Sequence, residues 1–156
     1  MTLPRHNLKL VLVEPEIPQN TGNIARLCAA TGAQLHLVRP LGFFLSDKHF
    51  KRAGMDYLQN VPITIHDDLP ALLAKIGNDP LWLTSGLTGS AHWSARFEPN
   101  AWIFFGKESA GLPQSLLDQH PNRSLQIPMT AHTRGLNIAT AAGIVLYEAL
   151  RQLSTH

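Results

Sequence analysis

Phe105-Gly106-Lys107-Glu108-Ser109-Ala110-Gly111-Leu112, then Ile127-Pro128-Met129, then Arg134-Gly135-Leu136-Asn137: three blocks in this order decide the fold. Phe105 ends the apolar run 102–105 and Ile127 ends the run 125–127, both read as buried strands. Asn137 opens a helix to about Leu153. Its apolar positions, Ile138, Ala141, Ala142, Val145, Leu146, Ala149 and Leu150, recur at helical spacing. Two glycine-bearing turns and a proline turn, each beside a strand end, suit one task. They let backbone N–H and C=O groups approach a small molecule that bulky side chains would hold off.

Upstream, residues 8–13 read as a buried strand ended by Pro15 and Pro18. Asn20 or Thr21 is expected to cap a helix with an inner stripe of Ile24, Leu27, Cys28 and Thr31, stopped at Gly32. A second strand covers 35–38. Ser46 or Asp47 then caps a short basic helix carrying Lys48, Lys51 and Arg52. A third strand covers 63–65, and Asp67 or Asp68 caps a helix to Ile76 with Pro70 in its first turn. A fourth strand, 81–84, precedes a polar loop over 85–100. Pro113 starts another helix, ending near His120 and Pro121. Strands alternating with helices imply an α/β fold in which a parallel sheet is covered on both sides, as one domain over residues 1–156. Ligands of such sheets collect beyond the carboxyl ends of the strands, so the loops after Thr84, Phe105 and Ile127 are expected to form one site.

Bulk properties narrow the class. The chain has 156 residues, 44% hydrophobic and 15% charged, enough for an ordinary core and too apolar for disorder. The formal charge of +2, with a pI of about 8.9, permits a nucleic-acid partner without demanding one. The single cysteine, Cys28, excludes an internal disulfide, points to a reducing cytoplasmic interior, and reads as a packing residue. No apolar run reaches the roughly 18 residues of a membrane helix, and residues 1–9 lack a signal-peptide core. The usual dinucleotide fingerprint, the phosphate-binding P-loop and the G-x-S-x-G elbow are absent. The eight histidines are scattered, without a zinc-ligand pattern, so no metal is expected.

The order of blocks resembles the SPOUT superfamily of RNA 2′-O-methyltransferases, in its small tRNA-specific, YibK-like (TrmL) branch. Glu14-Pro15-Glu16-Ile17-Pro18-Gln19-Asn20-Thr21-Gly22-Asn23-Ile24-Ala25-Arg26-Leu27-Cys28 is similar to that branch's opening. So are residues 35–43, Lys51-Arg52-Ala53-Gly54-Met55-Asp56-Tyr57 and residues 146–152, so that the resemblance spans essentially the whole chain. It implies a parallel sheet flanked by helices with a C-terminal deep trefoil knot, S-adenosylmethionine bound bent within that knot (leaving as S-adenosylhomocysteine), and a homodimer. The implied activity is methylation of the ribose 2′-oxygen of the wobble cytidine or uridine of leucine tRNAs.

The resemblance also assigns residues. Arg26 matches the family's catalytic arginine. Arginine is almost always protonated, so gripping the phosphate beside the target ribose is an equally physical role. The cofactor is expected on Leu83, Thr84, Gly106, Glu108, Ile127, Gly135, Leu136 and Asn137, with Ile127 and Leu136 sandwiching the adenine. RNA phosphates are expected at Arg26, Lys48, Lys51, Arg52 and Arg134, with Arg5 and Lys9 as outer candidates. Asn20 and Asn23 would cap the helix or hold the arginine, and Tyr147 would lie near the cofactor and the dimer contact. Two positions depart from the branch: Gly135 stands where it typically has serine, and Ala110 where it often has arginine or serine. These departures leave open methylation at another tRNA or rRNA position, or a catalytically weak RNA-binding homologue. A flavodoxin-like small-molecule regulator is a further alternative, disfavoured by the missing phosphate fingerprints.

Overall fold

The computed structural model describes residues 1–54 and 59–154, so Met55, Asp56 and Tyr57 of the resembling block lie outside the described residues. The chain runs β1 (Lys9–Val13), α1 (Pro18–Thr31), β2 (Gln34–Val38), α2 (Lys48–Gly54), β3 (Ile63–His66), α3 (Leu69–Ile76) and β4 (Leu81–Thr84). It continues with β5 (Ser90–Ala91), β6 (Trp102–Phe105), α4 (Gln114–Gln119), β7 (Ser124–Gln126) and α5 (Ile138–Ser154). The strands form one seven-stranded sheet in the order β3-β2-β1-β6-β4-β7-β5, with every pairing parallel.

Alternation along each strand divides the core in two. Leu10 and Leu12 of β1, Leu35 and Leu37 of β2, and Ile103 and Phe105 of β6 face α1 and α5. Ile24, Ala25 and Cys28 meet them from α1, and Val145, Leu146 and Ala149 from α5. Cys28 is therefore a packing residue, and burial pushes its thiol up to about 12. On the other face Val11, Val13, Val38, Leu83 and Phe104 pack under Leu72 and Ile76 of α3 and Leu116 of α4. Each fully buried leucine or phenylalanine contributes roughly 1.5–3 kcal/mol.

Three expectations change. Helix α1 starts at Pro18, so Asn20 and Thr21 lie inside it rather than capping it, and the N-cap position, Ile17, makes no side-chain cap bond. Pro18 is pre-set for a first helical turn, and the capping work falls to a distant carboxylate described below. Residues 85–100 are not wholly irregular: β5 and a 3₁₀ turn, His92–Ser94, lie within them. A two-residue strand has no periodicity to read, and its pairing with β7 is a long-range event. Strand β7 stops at Gln126, one residue before Ile127, consistent with Pro128 having no N–H to give the ladder. Elsewhere local signals act as expected: Gly32 ends α1 in a left-handed conformation, and Asp68 caps α3 by accepting from the Ala71 N–H.

Candidate functional site: a cleft over β4, β6 and β7

A cleft of about 730 Å³ opens beyond the carboxyl ends of β4, β6 and β7, within the size range of small-molecule sites, ~300–1,000 Å³. Three segments far apart in sequence wall it: residues 84–88, residues 105–112, and Ile127 with Met129 and residues 134–138. Ile17 and Asn20, at the start of α1, close one side. Leu125, Ile127, Leu136 and Ala141 supply apolar walls, and the turns supply backbone polar edges.

The 105–112 loop folds tightly on itself. Lys107 and Gly111 form an antiparallel bridge, the Gly111 N–H donating to the Lys107 carbonyl at 2.8 Å. A Cβ on Gly106 would lie 2.0 Å from the Gly111 carbonyl carbon and 2.1 Å from the Leu112 nitrogen. Only glycine allows that crossing of backbone on backbone.

Two carboxylates lock this loop to the start of α1. Glu108 Oε2 accepts from the Glu16 N–H at 2.9 Å, and Oε1 accepts from the Ile17 N–H at 3.2 Å and from Asn20 Nδ2 at 3.3 Å. A negative carboxylate at a helix N-terminus satisfies orphan donors and complements the helix dipole. Glu16 replies in the other direction: its Oε1 accepts from the Ser109 N–H at 2.9 Å and from the Ser109 hydroxyl at 2.7 Å. The Ser109 hydroxyl, then its N–H, hold the Glu16 carboxyl below the usual carboxylate range, and the charge of Lys107 adds to this. Asn20 Oδ1 in turn accepts from Asn137 Nδ2 at 2.9 Å, and Asn137 Oδ1 caps α5 through the Ala139 and Thr140 N–H groups. One chain of hydrogen bonds thus joins the 105–112 loop, α1 and α5.

The structure brings Thr84, Gly106, Glu108, Ile127, Gly135, Leu136, Asn137 and Arg134 to this cleft. The Thr84 hydroxyl donates to the Phe104 carbonyl at 2.7 Å, tying β4 to β6 at the cleft floor. Gly135 has φ +152°, with open space around a Cβ there, so backbone conformation rather than crowding favours glycine. Leu83 does not line the cleft. It is fully buried on the opposite face of the sheet, because alternation points it away from the side that Thr84 serves. Arg26 is exposed on α1, six residues past Asn20 and therefore about 9 Å along the axis, and it does not line its own chain's cleft. Lys48, Lys51 and Arg52 are exposed on α2, outside the cleft.

Tyr147 is exposed on α5 and also lies outside the cleft. Lys9 is no phosphate contact: it is 6% exposed, burial lowers its pKa, and its ammonium donates to the Asn100 carbonyl and lies 5.0 Å from the Trp102 ring centroid. Sequence reasoning gave no role to Glu16, Ser109 or Ile17, although it expected the loop after Thr84 to belong to the site. The proline bracket Pro15–Pro18 marked the spot, but nothing local pairs Glu16 with Ser109. Among the described residues no group of three or more His, Cys, Asp or Glu side chains could hold a metal ion, and no helix is long and apolar enough to cross a membrane.

Comparison with known proteins adds the following. The model of the SpoU rRNA Methylase family matches residues 7–147. The tRNA (cytidine(34)-2′-O)-methyltransferase of Escherichia coli (strain K12) is 42% identical over 147 residues, covering 94% of both chains. The protein of that name from Yersinia pestis is 44% identical over 152 residues, again covering 94% of each. A solved structure described as "Structural insights into the 2-OH methylation of C/U34 on tRNA" superposes with a TM-score of 0.92 at 44% identity, covering 97% of this chain and 99% of that one.

Proposed function

The chain belongs to the SpoU rRNA Methylase family, and from that premise we propose that it transfers a methyl group from S-adenosylmethionine to the ribose 2′-hydroxyl of the wobble nucleotide of a tRNA. The observation that carries this reading is the cleft itself. Its walls come from the blocks Phe105–Leu112, Ile127–Met129 and Arg134–Asn137, and they sit where a parallel sheet presents ligands. Relatives with that activity align over nearly the full length of both chains.

The cleft fits the cofactor on its own geometry. Ile127 and Leu136 supply apolar faces for a flat base, and the backbone of the 105–112 loop supplies polar edges. When bound, S-adenosylmethionine supplies an activated methyl group on a positive sulfur and leaves as neutral S-adenosylhomocysteine. The chain's own residues do the rest by positioning, which lowers barriers by as much as about 7–11 kcal/mol in the best cases. Glu108, Asn20 and Asn137 fix the 105–112 loop, α1 and the start of α5 relative to one another. Arg134, exposed among the cleft-lining residues, would take a phosphate, and its guanidinium suits that role.

The finer expectations belong to the same proposal. A homodimer is supported by Tyr147, 50% exposed on α5, and Ile17, 42% exposed beside the cleft. A second copy would also give Arg26 a cleft to serve, since it does not line its own. The knotted threading is supported by β7, which lies between β4 and β5, while the short 85–89 connection crosses it. A Cβ on Gly89 would lie 2.5 Å from the Ser124 backbone. Leucine tRNAs as substrates and a cytoplasmic location complete the reading.

The test is direct. Purified protein is incubated with an unmodified leucine tRNA and labelled S-adenosylmethionine, and the product is digested and mapped by mass spectrometry. Ribose methylation at position 34, the position in the relatives' names, is the expected outcome. Methylation only elsewhere, or on ribosomal RNA, would move the substrate. Bound cofactor and RNA without methylation would leave an RNA-binding homologue. For Arg26→Ala, turnover falls about 100-fold or more, while cofactor affinity measured by calorimetry changes by less than about threefold.

A further inference from the structure

Resting on the RNA-methylating reading above, we propose that Phe44 is a stacking platform for an unpaired base of the tRNA anticodon loop. Phe44 is 82% exposed, and nothing in the fold asks for an aromatic ring there. Its neighbour Phe43 packs inward on buried Phe50, ring centroids 5.7 Å apart, and so anchors the turn from beneath. The Asp47 N–H donates to the Phe44 carbonyl at 2.8 Å, and Asp47 Oδ1 accepts from the His49 N–H at 2.7 Å. On the other side the Gly42 N–H donates to the Pro15 carbonyl at 2.9 Å. The ring therefore stands on a turn held at both ends.

Its surroundings identify the partner. Gly42 lies against Glu16, where a Cβ would come within 2.8 Å of the Glu16 Cα. Glu16 itself binds Ser109 of the cleft loop. The turn is thus one residue layer from the cleft mouth. On its other flank α2 carries exposed Lys48, Lys51 and Arg52. An exposed aromatic ring on a turn that packs against the cleft-loop partner Glu16 and leads into a row of cations matches single-stranded RNA, with cations on phosphates and a ring under a base. A membrane or acidic protein surface would use the cations without needing a flat face.

The experiment measures binding of a fluorescein-labelled anticodon stem-loop by anisotropy, with steady-state methylation alongside. Phe44→Ala weakens RNA binding about tenfold, the scale of one lost base–aromatic stack, and raises KM for RNA in step. KM for S-adenosylmethionine does not move. Phe44→Trp restores binding and Phe44→Leu does not, which separates stacking from apolar packing. Lys51→Ala reduces the salt dependence of binding by about one ion, whereas Phe44→Ala leaves the slope alone. Wild-type affinity in both Phe44→Ala and Phe44→Leu overturns the proposal while leaving the methylation reading intact. A Phe44→Ala protein that sediments as a smaller species shows a contact between two copies instead, and also overturns it. If wild-type protein neither binds nor methylates the RNA, the underlying reading fails and this inference falls with it.

Discussion

The cleft and the far edge of the sheet treat polar groups in opposite ways. At the cleft, Glu108, Asn20 and Asn137 each find partners, and the bonds join segments nearly 120 residues apart. At the β2–β3 edge, His36 and His66 are 6% and 3% exposed, their Nδ1 and Nε2 atoms 2.9 Å apart. There His66 Nδ1 has no hydrogen-bond partner. The first arrangement surrounds a carboxylate with donors, fixing the relation of the 105–112 loop, α1 and α5. The second keeps two rings neutral, stacked with centroids 5.2 Å apart and with Trp102 against His36. Polar bonding at the cleft therefore positions a site, whereas polar burial at the edge makes the fold sensitive to protons.

The sharpest way to break the cleft is Gly106→Ala. The new methyl group meets backbone, not a flexible side-chain end, so the 105–112 loop must unfold its own crossing. Cofactor affinity falls about 100-fold or more by calorimetry, with the sheet retained by circular dichroism. An unchanged affinity would show that this loop does not shape the pocket. Glu108→Gln is subtler. It keeps the shape but removes the charge and turns one acceptor into a donor facing the Glu16 and Ile17 N–H groups. Hydrogen bonds to charged groups contribute about 1.5–3 kcal/mol each, and a half-exposed site reduces that. Urea unfolding should show a loss of about 2 kcal/mol, and cofactor affinity should fall by about tenfold.

The contrast also marks what could be read in the chain. Period and punctuation reveal the strands and helices, because buried runs such as 9–13 and caps such as Asp68 are local features. The three cleft turns were legible for the same reason: glycine and proline at strand ends carry their own meaning. The pairing of Glu16 with Ser109, and of Asn20 with Asn137, was not. It depends on strand order, which places β1 beside β6, and no local residue pattern encodes that order. Leu83 and Thr84 differ by one step of alternation, which sends the Leu83 side chain into the core and the Thr84 hydroxyl to the Phe104 carbonyl at the cleft floor. The histidine pair was invisible because His36 and His66 sit on separate strands, diagonal to the β2–β3 register.

That pair gives the smallest effect and the clearest sign. Burial, with the neighbouring His66 and Lys9 charges, lowers the His36 pKa to about 4, and burial with the Lys75 charge lowers that of His66. An unfolded histidine titrates near 6.5. Between those values the unfolded chain binds more protons than the folded one, so stability falls as pH drops from about 6.5 towards 4. For His36 alone the loss from pH 7 to pH 5 is about 1–2 kcal/mol. Urea midpoints measured across that range should decline accordingly. The carboxylates with lowered pKa, Glu16 and Glu148, act with the same sign but chiefly below about pH 4.5. A decline confined to pH below 4.5 would assign acid sensitivity to carboxylates rather than to the edge of the sheet. His36→Leu should flatten the profile between pH 7 and 5 while lowering stability at pH 7, because it leaves His66 Nε2 unpaired as well.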